Sequence, residues 1–121
     1  MVPSGHSVLV VEDDELLRLL VCDFLEENFT VSKVSNADEA LVFLRTEGDV
    51  DLLFSDVHMA GSMNGIELAR RVRDEFPLIR IVLTSGGVTR TELCQEFPFV
   101  PKPYQPQQLV TLLSAALNEQ I

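Results

Sequence analysis

The sequence predicts an α/β fold: a doubly wound parallel sheet of five strands with helices on both faces. Three observations predict it. Five short strand-like runs recur along the 121 residues, at 7–12, 30–35, 51–55, 79–84 and 98–100. The first, third and fourth are almost continuously apolar rather than alternating, as in strands buried on both faces. Segments with helical spacing separate the runs, and the connections are short.

Each element has a local reason. Ser7-Val8-Leu9-Val10-Val11 is a valine-rich strand that runs into Glu12. Residues 14–28 then take helical spacing, with Asp14 as N-cap. Leu16, Leu20 and Phe24 share one face with Leu17 and Val21 beside them, and Arg18, Asp23 and Glu27 lie opposite. Thr30 to Ser35 is a short β-branched segment, read as the second strand. Asn36 is a good N-cap, and Glu39 stands three residues later as its reciprocal partner. That helix reaches about Thr46, burying Ala37, Ala40, Leu41 and Leu44, and Gly48 ends it.

Residues 51–55 make the third strand, and 57–63 a small-residue loop. Asn64 caps the next helix, whose buried face carries Ile66, Ala69 and Val72, and Pro77 stops it. Residues 79–84 are the fourth strand, followed by a Ser85-Gly86-Gly87 turn. Residues 89–96 support at most a short, weak fourth helix. Residues 98–100 give a brief fifth strand. Pro106 opens the last helix, which buries Leu109, Leu112, Leu113, Ala116 and Leu117.

Composition narrows the function. The length suits one domain over residues 1–121, with residues 1–6 as a flexible N-terminus. No apolar stretch approaches a membrane span and no signal peptide is evident, so no membrane insertion is expected. Cys22 and Cys94 are lone thiols without metal-ligand spacing, which suits a reduced, cytoplasmic setting. Nineteen acids against 9 Lys plus Arg give a net charge of -10, which repels nucleic-acid phosphates.

The chemistry is concentrated where the runs stop. Glu12 and Asp13 follow the first, Asp56 the third, Thr84 closes the fourth and Lys102 follows the fifth. In open parallel sheets, ligands bind beyond the carboxyl ends of the strands, where strand order switches. For the flavodoxin-like order 2-1-3-4-5, that crevice lies between the first and third strands, which carry Asp13 and Asp56. Carboxylates forced together repel. Mg²⁺, or Mn²⁺ in its place, relieves that repulsion and prefers carboxylates, waters and phosphate oxygens. Lys102 can bind phosphate as a point charge, and the Thr84 hydroxyl can donate to it. An Asp carboxylate can act as a nucleophile and form an aspartyl phosphate. Asp56, on the central strand between the cation site and Lys102, is the best nucleophile; Glu12 and Asp13 suit cation holding. Taken singly, each residue has an ordinary reading as a helix-start acid, a turn residue, a strand threonine or a solvated lysine. Together, at four strand ends, they do not.

Four segments carry a resemblance: Val10-Val11-Glu12-Asp13-Asp14, Phe54-Ser55-Asp56-Val57-His58-Met59, Leu83-Thr84-Ser85-Gly86 and Val100-Pro101-Lys102-Pro103-Tyr104. In order and spacing they resemble the signature segments of response-regulator receiver domains. The resemblance covers essentially the whole chain. It implies a five-stranded domain that accepts phosphate from a phosphohistidine of a sensor histidine kinase or histidine phosphotransfer protein, then signals to a downstream protein partner. Asp56 would be the phosphoacceptor. Asp13 would hold Mg²⁺ directly, Glu12 would assist through water, and the His58 backbone carbonyl would complete the metal site. Thr84 would move toward the phosphate and Lys102 would pair with it. Phe99 matches the family's aromatic switch position, and the Lys102–Pro103 bond would be cis.

Three departures accompany the resemblance. Ala60 stands where proline usually follows the Met. One extra residue separates Asp56 from Gly65, which Gly61-Ser62 can absorb as a turn. The stretch from Thr84 to Lys102 is short by about one helical turn, so the fourth helix is expected to be shortened. Competing functions are a phosphatase with an aspartyl nucleophile and an interaction module that never takes phosphate. The phosphatase would need an acid two residues beyond Asp56, where His58 stands; the intact site set argues against the module. Flavin binding lacks a phosphate-cradling loop after the first strand. No separate substrate turnover is expected.

Overall fold

The computed structural model describes residues 6–59, 61, 63–86 and 96–118. Five parallel strands, β1 (Ser7–Val11), β2 (Thr30–Val34), β3 (Leu52–Asp56), β4 (Arg80–Ser85) and β5 (Phe99–Pro101), form one sheet in the order β2-β1-β3-β4-β5. The described helices are α1 (Glu15–Leu25), α2 (Ala37–Thr46), α3 (Gly65–Glu75) and α4 (Pro106–Asn118). The sequence expectation of a flavodoxin-like, doubly wound sheet is met. The expected weak helix over 89–96 lies outside the described residues up to residue 95, as do Ala60, Ser62, Gly87 of the expected turn and residues 1–5 of the expected flexible N-terminus.

The period of two along β1 explains the two layers. Leu9 and Val11 point into a core shared with α2 and α3, where Leu41, Leu44, Leu68, Ala69 and Val72 are buried. Val8 and Val10 point to the opposite core, with Val21, Cys22 and Leu25 of α1 and Leu109, Leu113 and Leu117 of α4. Each such side chain contributes roughly 1.5–3 kcal/mol when fully buried. Met63 is buried in the first core and Met59 packs against it.

Some local expectations need correction. α1 does not rest on Leu16 and Leu20, which are 67% and 55% exposed; Val21, Cys22 and Leu25 face the core, with Leu17 and Phe24 packed beside them. Leucines at 16, 17, 19, 20 and 25 wrap much of this helix, so hydrophobic spacing alone could not choose the buried face. In α3, Ala69 and Val72 are fully buried as expected and Leu68 joins them, while Ile66 is only half-buried. In α4, Leu112 and Ala116 are likewise half-buried beside fully packed Leu113 and Leu117.

The Asn36 side chain accepts the Glu39 amide at 2.8 Å, but Glu39 returns to the Ser35 amide and hydroxyl at 2.8 and 2.9 Å rather than to Asn36. The full reciprocal box stands at α3, where Asn64 accepts from the Glu67 amide at 2.9 Å and Glu67 accepts from the Asn64 amide at 3.0 Å. β3 and β4 each extend one residue beyond expectation, so Asp56 closes β3 and Thr84 lies within β4. The Thr30 amide donates to the carbonyl of His6 at 3.0 Å, which ties His6 to the start of β2.

Candidate functional site

The strand register brings the polar residues together. Asp56 is paired with Thr84 across β3 and β4, and Thr84 with Val100 across β4 and β5. The Lys102 amide donates to Ser85 at 3.0 Å, which fixes the lysine at the same end of the sheet. Glu12 follows β1 directly, and its amide donates to Val34 of β2 at 3.2 Å. A larger hollow of about 850 Å³, lined in part by Asp49, Asp51, Phe76 and Leu78, opens at the other end of the strands and holds none of these groups.

Carboxylate oxygens of Glu12, Asp13 and Asp56 all lie within 4.8 Å of one another. Glu12 and Asp56 are buried and Asp13 is exposed. Three clustered carboxylates form an all-oxygen donor set, which suits a hard divalent cation such as Mg²⁺ or Mn²⁺. The Lys102 ammonium enters the same cluster, 2.8 Å from Asp56 Oδ2 and 3.1 Å from Glu12 Oε1. Burial pushes the Glu12 carboxyl up, and the Asp14 amide and Lys102 only partly offset it. Burial works against the Lys102 ammonium, but Asp56 and Glu12 outweigh it and hold its pKa above the usual lysine value.

The remaining expected residues fall around this cluster. The Thr84 hydroxyl is buried and has no hydrogen-bond partner among the described residues, an arrangement that needs a reason because unpaired buried hydroxyls are costly. The His58 amide donates to Asp56 Oδ1 at 3.2 Å, while the residue itself is exposed. Phe99, at the start of β5 and paired with Leu83, is half-buried against the core on the α2–α3 side. The Lys102–Pro103 bond is cis, as the resemblance implied. Gly61 takes φ +116° in the loop that absorbs the extra residue, a conformation that favours glycine.

Two contributors were not anticipated. Arg18 donates through Nη1 to the carbonyl of Glu12 at 2.9 Å. Gly65 donates to the Val57 carbonyl at 2.8 Å, and a Cβ there would lie 2.1 Å from the Asp56 carbonyl oxygen. Glycine therefore lets α3 start directly against the backbone that carries the carboxylate. No local sequence signal marks Arg18. Gly65 right after the Asn64 cap was visible only as a helix start. Tyr104 stands edge-on to Phe54 at 5.9 Å between centroids, and burial pushes its hydroxyl pKa up. With Leu17, Gly86, Lys102 and Pro103 it lines a groove of about 400 Å³ beside the cluster.

Comparison with known proteins places this geometry. The chain matches the family model of the response regulator receiver domain over residues 8–114. It is 32% identical over 118 residues to the transcriptional regulatory protein ResD of Bacillus subtilis, covering 93% of this chain and 48% of that protein. The chain thus spans about half or less of the curated relatives it matches. A response regulator receiver protein from Sinorhizobium medicae has a TM-score of 0.86 at 25% identity, covering 96% of this chain and 97% of its own. A CheY-like receiver domain protein from Methanospirillum hungatei shares the fold, with a TM-score of 0.84 at 22% identity over 96% of both chains. With a match across nearly its full length and a fold of the same order, the chain belongs to the response regulator receiver domain family.

Proposed function

We propose that this chain is a phosphoacceptor in a two-component phosphorelay, taking a phosphoryl group from a phosphohistidine onto Asp56 and thereby switching a protein-binding surface. One observation carries the reading. A carboxylate only 6% exposed meets an ammonium, two further carboxylates and a partnerless buried hydroxyl at one edge of the sheet.

An Asp56 oxygen attacks phosphorus, the N–P bond of the donor breaks, and the departing imidazole nitrogen keeps the electron pair and takes a proton from solvent. Asp13 and Asp56, with Glu12 assisting and the His58 carbonyl completing the set, would hold Mg²⁺ or Mn²⁺, which neutralises charge on the phosphoryl oxygens. Lys102 stands against Asp56 and can follow the new charge onto the phosphoryl group. Thr84 has a free hydroxyl to donate to it, and its displacement would open space for Phe99 to turn inward. The donor class is a sensor histidine kinase or histidine phosphotransfer protein, and the output is contact with a further protein. Chemistry is confined to the chain's own phosphorylation and slow dephosphorylation. The buried free thiol of Cys22 suits a reduced, cytoplasmic setting. Among the described residues no helix is long and apolar enough to cross a membrane.

The test is intact mass after incubation with acetyl phosphate and Mg²⁺. A phosphate-sized gain that disappears in Asp56→Asn is expected; no gain with any phosphodonor overturns the reading.

A further inference from the structure

We propose that Arg18 is a positioning residue for the cation-holding turn, an inference that rests on the phosphoacceptor reading of the same site. From α1 its guanidinium reaches back and donates to the Glu12 carbonyl at 2.9 Å. The turn that carries the acids is also held by the sheet, by Lys102 at the Glu12 carboxylate and by its own hydrogen bonds. The Glu12 amide donates to Val34 at 3.2 Å, the Glu12 carboxylate accepts the Asp14 amide at 3.1 Å, and Asp14 caps the Leu17 amide at 3.0 Å. Arg18 adds a side-chain hold on the peptide that joins Glu12 to Asp13. Glu12 and Asp56 are fixed by burial, but Asp13 is exposed, so its placement depends more heavily on the backbone beneath it. A guanidinium is always charged and presents a rigid fork, which makes it a firm anchor for a carbonyl.

Arg18 acts on a divalent cation in two opposed ways. Its charge repels the cation, while its hydrogen bond keeps the ligands in place. The repulsion is weakened because Arg18 is half-exposed, where water and salt screen its charge. The hydrogen bond acts on the ligand turn directly. Positioning therefore wins, and removing Arg18 weakens cation binding, whereas charge alone would strengthen it. Loss of a group that orients metal ligands typically costs about 10–100-fold in affinity.

The test uses the full chain with Arg18→Gln and Arg18→Lys. Mn²⁺ affinity is read directly by electron paramagnetic resonance, and the Mg²⁺ dependence of acetyl-phosphate labelling is read alongside it. In Arg18→Gln the Mn²⁺ Kd is expected to rise about tenfold. The Mg²⁺ concentration for half-maximal labelling rises with it, the rate at saturating Mg²⁺ stays near wild type, and the Asp14 amide exchanges faster with solvent. Arg18→Lys recovers part of the affinity. A folded Arg18→Gln that binds Mn²⁺ as tightly as wild type, or more tightly, overturns the proposal. Should Arg18→Gln not fold, Arg18→Lys decides alone: a few-fold loss supports the proposal and unchanged affinity overturns it. Wild-type protein that neither binds Mn²⁺ nor gains phosphate overturns the phosphoacceptor reading, and this inference with it.

Discussion

The ammonium of Lys102 lies 2.8 Å from Asp56 Oδ2, in the same cluster where the Asp13 and Glu12 carboxylates converge. A divalent cation bound in this cluster would have to share the Asp56 and Glu12 carboxylates with the lysine. Removing the amine leaves carboxylates in a half-dry site without their counter-charge, which is costly when a partner is lost from a buried pair. Lys102 is partly exposed, 21% by side chain, so the cost is discounted. Lys102→Met is expected to lower stability in chelator by about 1–3 kcal/mol. Added Mg²⁺ should recover more stability in the variant than in wild type. Thermal unfolding with EDTA and with Mg²⁺ checks it; equal Mg²⁺ stabilisation in both proteins would show that no competition exists.

Thr84 offers the opposite trade. Its hydroxyl is buried without a partner among the described residues, so in the unmodified protein it is a liability. An unsatisfied buried polar group costs about 1–3 kcal/mol, and Val has nearly the same shape. Thr84→Val is expected to leave the unmodified protein as stable as wild type or about 1 kcal/mol more stable. Phosphorylation should then stabilise the variant less than wild type, because no hydroxyl remains to meet the phosphoryl group. Urea unfolding of both proteins, with and without phosphate, separates the two effects.

Gly65 gives a packing prediction. A methyl group there would lie 2.1 Å from the Asp56 carbonyl oxygen and 2.8 Å from Val57 Cα, and both obstacles are backbone. Either α3 moves away from β3 or the 56–57 peptide moves with it. Gly65→Ala is expected to destabilise the fold by about 3 kcal/mol, at the upper end for overpacking. It should also slow phosphorylation of whatever fraction folds. Chemical denaturation and labelling by acetyl phosphate measure the two; a stable, fully active variant would mean that the approach is looser than it stands here.

The gathering of polar residues at the strand ends was legible in the sequence. Glu12, Asp13, Asp56, Thr84 and Lys102 each sit where an apolar run stops, and a parallel sheet gathers such ends on one edge. What was not legible depends on tertiary approach. α1 carries leucines on most of its surface, so only the sheet beneath it decided that Val21, Cys22 and Leu25 go inside. Arg18 reads as a polar-face residue until α1 is placed beside the Glu12 carbonyl. The Asn36 and Asn64 caps share the same spacing to a glutamate, yet only Asn64 closes the reciprocal pair, because the Ser35 amide and hydroxyl capture Glu39.

Cys22 supplies a pH dependence that has nothing to do with phosphate. It is 2% exposed under α1, and burial raises its pKa from 9.0 to about 11. A group whose folded pKa lies above its unfolded value stabilises the fold below the unfolded pKa and loses that contribution as pH rises through the folded one. The window here runs from pH 9.0 to about 11. A shift of this size corresponds to at most about 2–3 kcal/mol. Cys22→Ala deletes the titration and leaves a small apolar side chain. It is expected to be less stable than wild type at pH 8, because a buried group has been trimmed, yet to lose less stability between pH 8 and pH 11. The comparison cancels the lysines and tyrosine that titrate in both proteins. Urea midpoints across that range decide it: parallel pH profiles for the two proteins would mean that the Cys22 thiol ionises in the folded state as easily as in the unfolded chain.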